Sequence, residues 1–201
     1  MRCLMCGKTI GENSLRELLA GDDLLCEECR NGWHRTGKRF TVDGVKAYAE
    51  YAYDGGFRDC LLQFKECGDE ALKDVFLYKT GDSFRRKYRG WTLLLMPSSP
   101  QNLVRRGFSH LQEIFSCVRM PMLEVFAKTD TAVQKELTYE ERQQMKEHII
   151  LKEGAVIPKK VLLCDDVLTT GATIRGALKA LQGIPCRKQI YILSAVEKTL
   201  P

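Results

Sequence analysis

The run Val161–Thr173 constrains the fold of this chain more than any other stretch: Val-Leu-Leu-Cys-Asp-Asp-Val-Leu-Thr-Thr-Gly-Ala-Thr. Val161, Leu162, Leu163 and Cys164 are an unbroken apolar run without helical spacing, which predicts a strand buried on both faces of a parallel sheet. Two carboxylates follow at its end. From Ile174 the apolar residues fall at Ile174, Ala177, Leu178 and Leu181, the spacing of a helix that stops at Gly183. Between them, Thr169-Thr170-Gly171-Ala172-Thr173 brings backbone N–H groups, three hydroxyls and a permissive glycine to a helix N-terminus, where the dipole favours an anion. A terminal phosphate fits that turn. Asp165 and Asp166 repel a phosphate and are suited to hydroxyls or a metal. A phosphate beside vicinal hydroxyls describes a ribose 5-phosphate, with the carboxylates accepting from its 2′- and 3′-OH. The turn is neither a P-loop nor a dinucleotide fingerprint, because both glycine spacings are missing.

The other strong signal is at the N-terminus. Cys3-Leu-Met-Cys6 and Cys26-Glu-Glu-Cys29 form two Cys-x₂-Cys knuckles with nineteen residues between them, a zinc pattern. Four thiolates leave no open coordination position, so a structural Zn²⁺ is expected, holding a segment too short to bury its own core. Gly7 supplies the backbone angle a tight knuckle needs. The chain has nine cysteines, and the start Met-Arg-Cys-Leu-Met-Cys carries no secretory apolar core, which argues against a disulfide framework and for a cytoplasmic setting. Cys60, Cys67, Cys117, Cys164 and Cys186 read as small buried or half-buried apolar residues. With 201 residues, 44% of them hydrophobic and 28% charged, the chain holds one α/β domain and a small appendage. No apolar run is long enough to span a membrane. A net charge of +5 permits an acidic partner and does not by itself establish nucleic-acid binding.

In chain order, Arg30–Arg39 reads as a linker or join, and His34 as a surface or interface histidine. Val45 to Tyr53 alternates as a strand, one arm of a hairpin turning at Asp43-Gly44. A helix through Leu61, Leu62, Phe64 and Lys65 closes at Gly68, and Ala71–Tyr78 reads as another. Arg85–Arg89 reads as a solvated turn before a strand, with a nucleic-acid patch as its rival. Trp91–Met96 is a buried strand, and Pro97-Ser98-Ser99-Pro100 at its carboxyl end fits a second phosphate group or a plain turn. Arg105-Arg106-Gly107-Phe108 opens a helix that buries Leu111, Ile114, Phe115 and Val118; its two guanidiniums suit a polyanion. Met122–Phe126 reads as a third strand, Thr138–Glu141 as a capping box for a polar, flap-like helix, and Ile190–Val196 as the strand that closes the sheet.

Taken together, the four-cysteine module, Tyr53-x-Gly, Phe64-Lys65-x-x-Gly68-Asp69, Pro97-x-x-Pro100, Arg105-Arg106-Gly107-Phe108, Gln134-x-x-Leu137 with Arg142, and Asp-Asp-Val-x-Thr-Thr-Gly resemble the ComF family of competence proteins, ComFC type. The last run resembles the signature by which type I phosphoribosyltransferases bind phosphoribosyl pyrophosphate (PRPP). Ser109-His110, where the family more often has Asn, and Lys128, where Arg is common, are departures. The resemblance implies a zinc-binding module and linker over 1–36 and, over 37–201, a type I phosphoribosyltransferase-like parallel sheet flanked by helices. It implies a role in natural transformation, handling imported single-stranded DNA in the cytoplasm, with an ATP-driven translocase of the ComFA type as partner. Thr169, Thr170, Gly171 and Thr173 would then hold the 5-phosphate of PRPP. Asp165 and Asp166 would hold the ribose hydroxyls beside the developing charge, Mg²⁺ would bridge pyrophosphate and ribose oxygens, and Arg105 and Arg106 would face the pyrophosphate. Two other readings stay open: an active phosphoribosyltransferase of nucleotide metabolism, and a zinc-ribbon nucleic-acid binder with a vestigial PRPP site.

Overall fold

The computed structural model describes residues 1–10, 23–129 and 148–196. The elements are α1 (Glu27–Asn31), β1 (Arg35–Val42), β2 (Val45–Ala52), α2 (Gly55–Glu66), a 3₁₀ turn (Glu70–Val75), α3 (Gly81–Lys87), β3 (Thr92–Leu95), α4 (Pro100–Arg106), α5 (His110–Ser116), β4 (Met122–Leu123), β5 (Phe126–Thr129), β6 (His148–Leu151), β7 (Lys160–Leu168), α6 (Ala172–Ala180) and β8 (Arg187–Ala195). Six strands form one sheet in the order β1-β2-β8-β7-β3-β4. All neighbours in it are parallel except β1 and β2, the hairpin expected at Asp43-Gly44, where both residues have positive φ (48° and 77°). The fold is therefore the α/β class read from the sequence, a mostly parallel sheet flanked by helices, with the four-cysteine cluster at the N-terminus.

The central strand is β7. Val161 to Cys164 are fully buried, as an apolar run between two parallel neighbours requires. Beside it, Tyr191 on β8 lies under a cluster formed with Phe84 and Phe115, and the expected buried face of α5, Leu111, Ile114, Phe115 and Val118, is the one observed. A second, two-stranded antiparallel sheet of β5 and β6 packs on α6. Gly176 permits that contact: a Cβ there would lie 2.9 Å from Ile149 Cγ1.

Several local readings change. The strand does not stop at Cys164; ladder pairing with β8 carries it through both aspartates to Leu168. Met122–Phe126 is not one strand, because Met122–Leu123 joins the main sheet and Phe126 starts β5 of the small one. Ala71–Tyr78 contributes a 3₁₀ turn, and Arg85 to Lys87 belong to α3 rather than a turn. Arg105 and Arg106 close α4, stopped by Gly107 at φ 80°, instead of opening the next helix. Ile190–Val196 falls within or just beyond β8, which lies inside the sheet between β2 and β7. Cys67 and Cys117 are exposed. The helix expected at Thr138–Lys146, with Gln134, Leu137 and Arg142, lies outside the described residues.

The join at Arg30–Arg39 is structured throughout. Arg30 makes a buried ion pair with Asp23 at 2.6 Å, donates to the Val75 carbonyl at 3.0 Å and lies 4.3 Å over the Trp33 ring. Trp33 packs against Tyr51, Phe57 and Phe76, fastening the cysteine module to the end of the sheet. His34 is exposed and pairs with Asp54 at 3.0 Å.

Candidate functional site

The site lies at the carboxyl edge of the parallel strands. Loops leaving such strands splay apart there, and ligands of open α/β sheets bind in the resulting crevice. β7 delivers Asp165 and Asp166 to this edge, and the turn after Leu168 feeds α6. Gly171 takes the left-handed conformation, φ 73°, that lets the chain reverse into the helix. Thr169 and Thr170 are exposed, Gly171 and Thr173 half-buried. Among the described residues, no protein acceptor takes the backbone N–H groups of Thr169, Thr170 or Gly171. The Thr170 hydroxyl accepts from the Ala172 amide at 3.3 Å, and the Arg175 guanidinium donates to the Thr170 carbonyl, adding a cation beside the helix dipole.

The two aspartates have separate fates, as neighbours on a strand point to opposite faces. Asp166 is 6% exposed and its side chain is fully engaged: Oδ1 accepts from the Val167 amide at 2.7 Å, and Oδ2 from Lys65 Nζ at 2.5 Å and His110 Nε2 at 2.9 Å. Burial opposes its ionisation, but the charges and hydrogen bonds of His110 and Lys65 overcome it and hold the carboxyl well below its usual range. Asp165 is partly exposed and, among the described residues, accepts only from the Asp166 amide, at 3.0 Å. Burial and the neighbouring Asp166 charge push its carboxyl well above its usual range. The pair carries one firm negative charge and one poised carboxyl.

His110 links this pair to the rest of the edge. Its Nδ1 lies 3.2 Å from Ser98 Oγ in the loop after β3 and 3.4 Å from Arg106 Nη1. Arg106 is nearly buried and bonds Glu66 at 2.9 Å, and the more exposed Arg105 bonds the same carboxylate. So Arg106 is joined to Asp166 through His110, while Arg105 faces Glu66 and stands off from the acidic pair. Lys65 and His110 were in the motifs read from the sequence but had no role there. Spacing held the clue: His110 stands four residues before buried Ile114, and Lys65 borders the buried stripe Phe57, Leu61, Phe64.

The cysteine cluster is a second, separate site. The Sγ atoms of Cys3, Cys6, Cys26 and Cys29 all lie within 4.8 Å of one another, and those of Cys6 and Cys26 are 3.7 Å apart. Tetrahedral thiolates at ~2.3 Å from one ion stand about 3.8 Å apart, so this donor set can hold a metal of that kind. The Gly7 amide bonds the Cys3 carbonyl at 2.9 Å with φ 72°, the knuckle geometry expected.

No protein-family model matches the chain. It is 27% identical over 207 residues to the competence protein ComFC of Streptococcus pneumoniae, an alignment covering 90% of this chain and 94% of that protein. With ComFC of Bacillus subtilis it shares 24% over 159 residues, covering 78% and 65% respectively. The chain is thus similar in sequence to the ComFC competence proteins. Among solved structures, a Staphylococcus aureus hypoxanthine phosphoribosyltransferase is similar over 65% of this chain and 67% of its own, at 15% identity and a TM-score of 0.41. A Leishmania donovani adenine phosphoribosyltransferase is similar over 87% and 80%, at 12% identity and a TM-score of 0.34. Among the described residues no helix is long and apolar enough to cross a membrane.

Proposed function

We propose that this chain is a competence protein whose carboxyl-edge site binds PRPP, and that it acts in the cytoplasm with an ATP-driven translocase of the ComFA type in handling imported single-stranded DNA. One observation carries the ligand reading: a turn with unclaimed backbone donors, at the positive end of a helix, stands directly after a strand that presents a partly exposed carboxylate. The Thr169–Thr173 turn receives the 5-phosphate, and Asp165 accepts from a ribose hydroxyl. Asp166 fixes that geometry from beneath, through Lys65 and His110. Mg²⁺ arriving with PRPP would offset the charge of its pyrophosphate, and Asp165, the partly exposed member of the acidic pair, is the carboxylate that would help hold it. Arg106 lies on the same side and becomes available to pyrophosphate when Glu66 releases it. The four cysteines hold structural Zn²⁺.

Calorimetric titration of PRPP with Mg²⁺ tests the reading. Wild-type protein binds, and Asp165→Asn weakens binding between about ten- and a hundredfold, the value of a hydrogen bond to a charged group. A folded wild type that takes up no PRPP overturns it. Pyrophosphate release on adding nitrogen nucleophiles would establish turnover by attack at C1.

A further inference from the structure

The opposite, amino edge of the sheet carries a different feature. Three open clefts follow one another there. The first, about 500 Å³, is lined by Arg85, Arg86, Arg89 and Arg119 around Trp91 and the start of β3. The second, about 630 Å³, is lined by Arg39, Lys46 and Lys87 around Tyr48 and the start of β2. The third shares Lys46 and Gln189 with the second and adds Arg187 and Lys188 at the start of β8. The first two meet across the end of α3. Nine cations and no carboxylate line the three.

Lys188 donates to the Ile184 and Cys186 carbonyls at 3.4 Å, but most of these charges have no carboxylate partner among the described residues. Among the described residues, Arg85 has the exposed Asp82 at 3.1 Å, whereas Arg39, Lys46, Arg86, Arg89 and Arg119 meet no carboxylate. Glu50, the carboxylate beneath the second cleft, is buried and bonded to Arg35 and Tyr191. Two cations lie on aromatic rings, Lys87 4.1 Å above Tyr48 and Arg187 5.5 Å from Trp91. Burial and the nearby Arg39 charge lower the Lys87 pKa, so an incoming anion relieves a local repulsion.

We infer that this edge is a docking track for the sugar–phosphate backbone of single-stranded nucleic acid, separate from the carboxyl-edge site. Six of the nine cations are arginines, whose forked donors match phosphate oxygens in pairs. The track crosses the sheet; five strand-to-strand steps of ~4.8 Å give it ~24 Å, far longer than one nucleotide. Clefts rather than a flat face suit a flexible single strand, and ring-supported cations can stack under bases without reading sequence. The inference deepens the DNA-handling part of the proposed function and does not need PRPP binding, because the acidic pair lies on β7, towards the opposite edge of the sheet, and no residue of β7 lines the clefts.

The test is fluorescence anisotropy of a labelled 20-nucleotide oligothymidylate against the full, zinc-loaded protein. Contact with about five phosphates, the room left by a strand stretched beyond its ~3.4 Å duplex spacing, gives a log–log salt slope of about −3.5. The combined Arg85→Ala, Arg86→Ala and Arg89→Ala variant, with an unchanged melting curve, should lose at least tenfold in affinity at 0.1 M salt and flatten the slope by about 2. Asp165→Asn should bind the oligonucleotide like wild type even when PRPP binding is lost. Three results would overturn the inference: wild-type affinity in the triple variant, loss of oligonucleotide binding in Asp165→Asn, or binding of polyglutamate in place of the oligonucleotide, which assigns the track to an acidic protein.

Discussion

The two edges of the parallel sheet teach opposite lessons about charge. At the carboxyl edge, charge is enclosed: Asp166 is held by Lys65 and His110 with both oxygens bonded, and Arg106 is nearly buried against Glu66. At the amino edge, Arg86, Arg89 and Arg119 stand exposed and, among the described residues, without carboxylate partners. Enclosed charges are over-determined by their neighbours, so removing one costs stability and disturbs a defined geometry. Exposed charges are screened by water and salt, so removing one alters association and leaves the fold alone.

Asp166→Asn should produce the largest effect. It leaves Lys65 and His110 facing a neutral group and should cost about 3 kcal/mol in urea unfolding at pH 7. The folded pKa of Asp166 is depressed, so its contribution is complete above the unfolded value of ~3.9 and is lost as pH falls through the folded value. The gap between wild type and variant should therefore narrow below about pH 4. A variant as stable as wild type at pH 7 would erase the distinction between enclosed and exposed charge.

Gly171→Ala comes next. Its φ of 73° disfavours any side chain by ~1 to 2 kcal/mol, and the new Cβ would sit 3.3 Å from Arg175 Nη2, so both stability and phosphate affinity should fall. Asp165→Asn should act with the opposite sign to Asp166→Asn. The folded pKa of Asp165 is raised, so its ionisation is a penalty that is full above the folded value and absent below the unfolded one. The variant should gain about 1 kcal/mol at pH 8 while losing the ligand, the trade expected of a functional carboxylate, and the gain should vanish below about pH 4. Smallest is Arg86→Ala, which should stay within ~0.5 kcal/mol of wild type in unfolding and leave PRPP titration unchanged.

The sequence displays the carboxyl edge better than the amino edge, for a physical reason. Asp165, Asp166 and the Thr169–Thr173 turn are contiguous, so one strand, one turn and one helix read along the chain already compose a site. Cys3, Cys6, Cys26 and Cys29 are likewise legible because knuckle spacing is local. The amino-edge track is assembled from the starts of β2, β3 and β8 and the end of α3, and only the sheet order places Arg39, Arg89 and Arg187 along one line. The same limit hides Lys65 and His110, whose meeting with Asp166 joins residues 101 apart for the lysine. Helix ends failed for a smaller reason. Arg105-Arg106-Gly107 suits the close of a helix by its cations and its left-handed glycine as well as it suits an opening beside a ligand.

Hydrogen exchange of the zinc-loaded protein, with and without Mg²⁺ and PRPP, tests the central claim most directly. Binding at the carboxyl edge should slow exchange of the amides in the Thr169–Thr173 turn and the first turn of α6 and leave Gly81–Thr92 as it was. Unchanged exchange in the turn at saturating PRPP, or protection confined to the amino edge, would contradict the account.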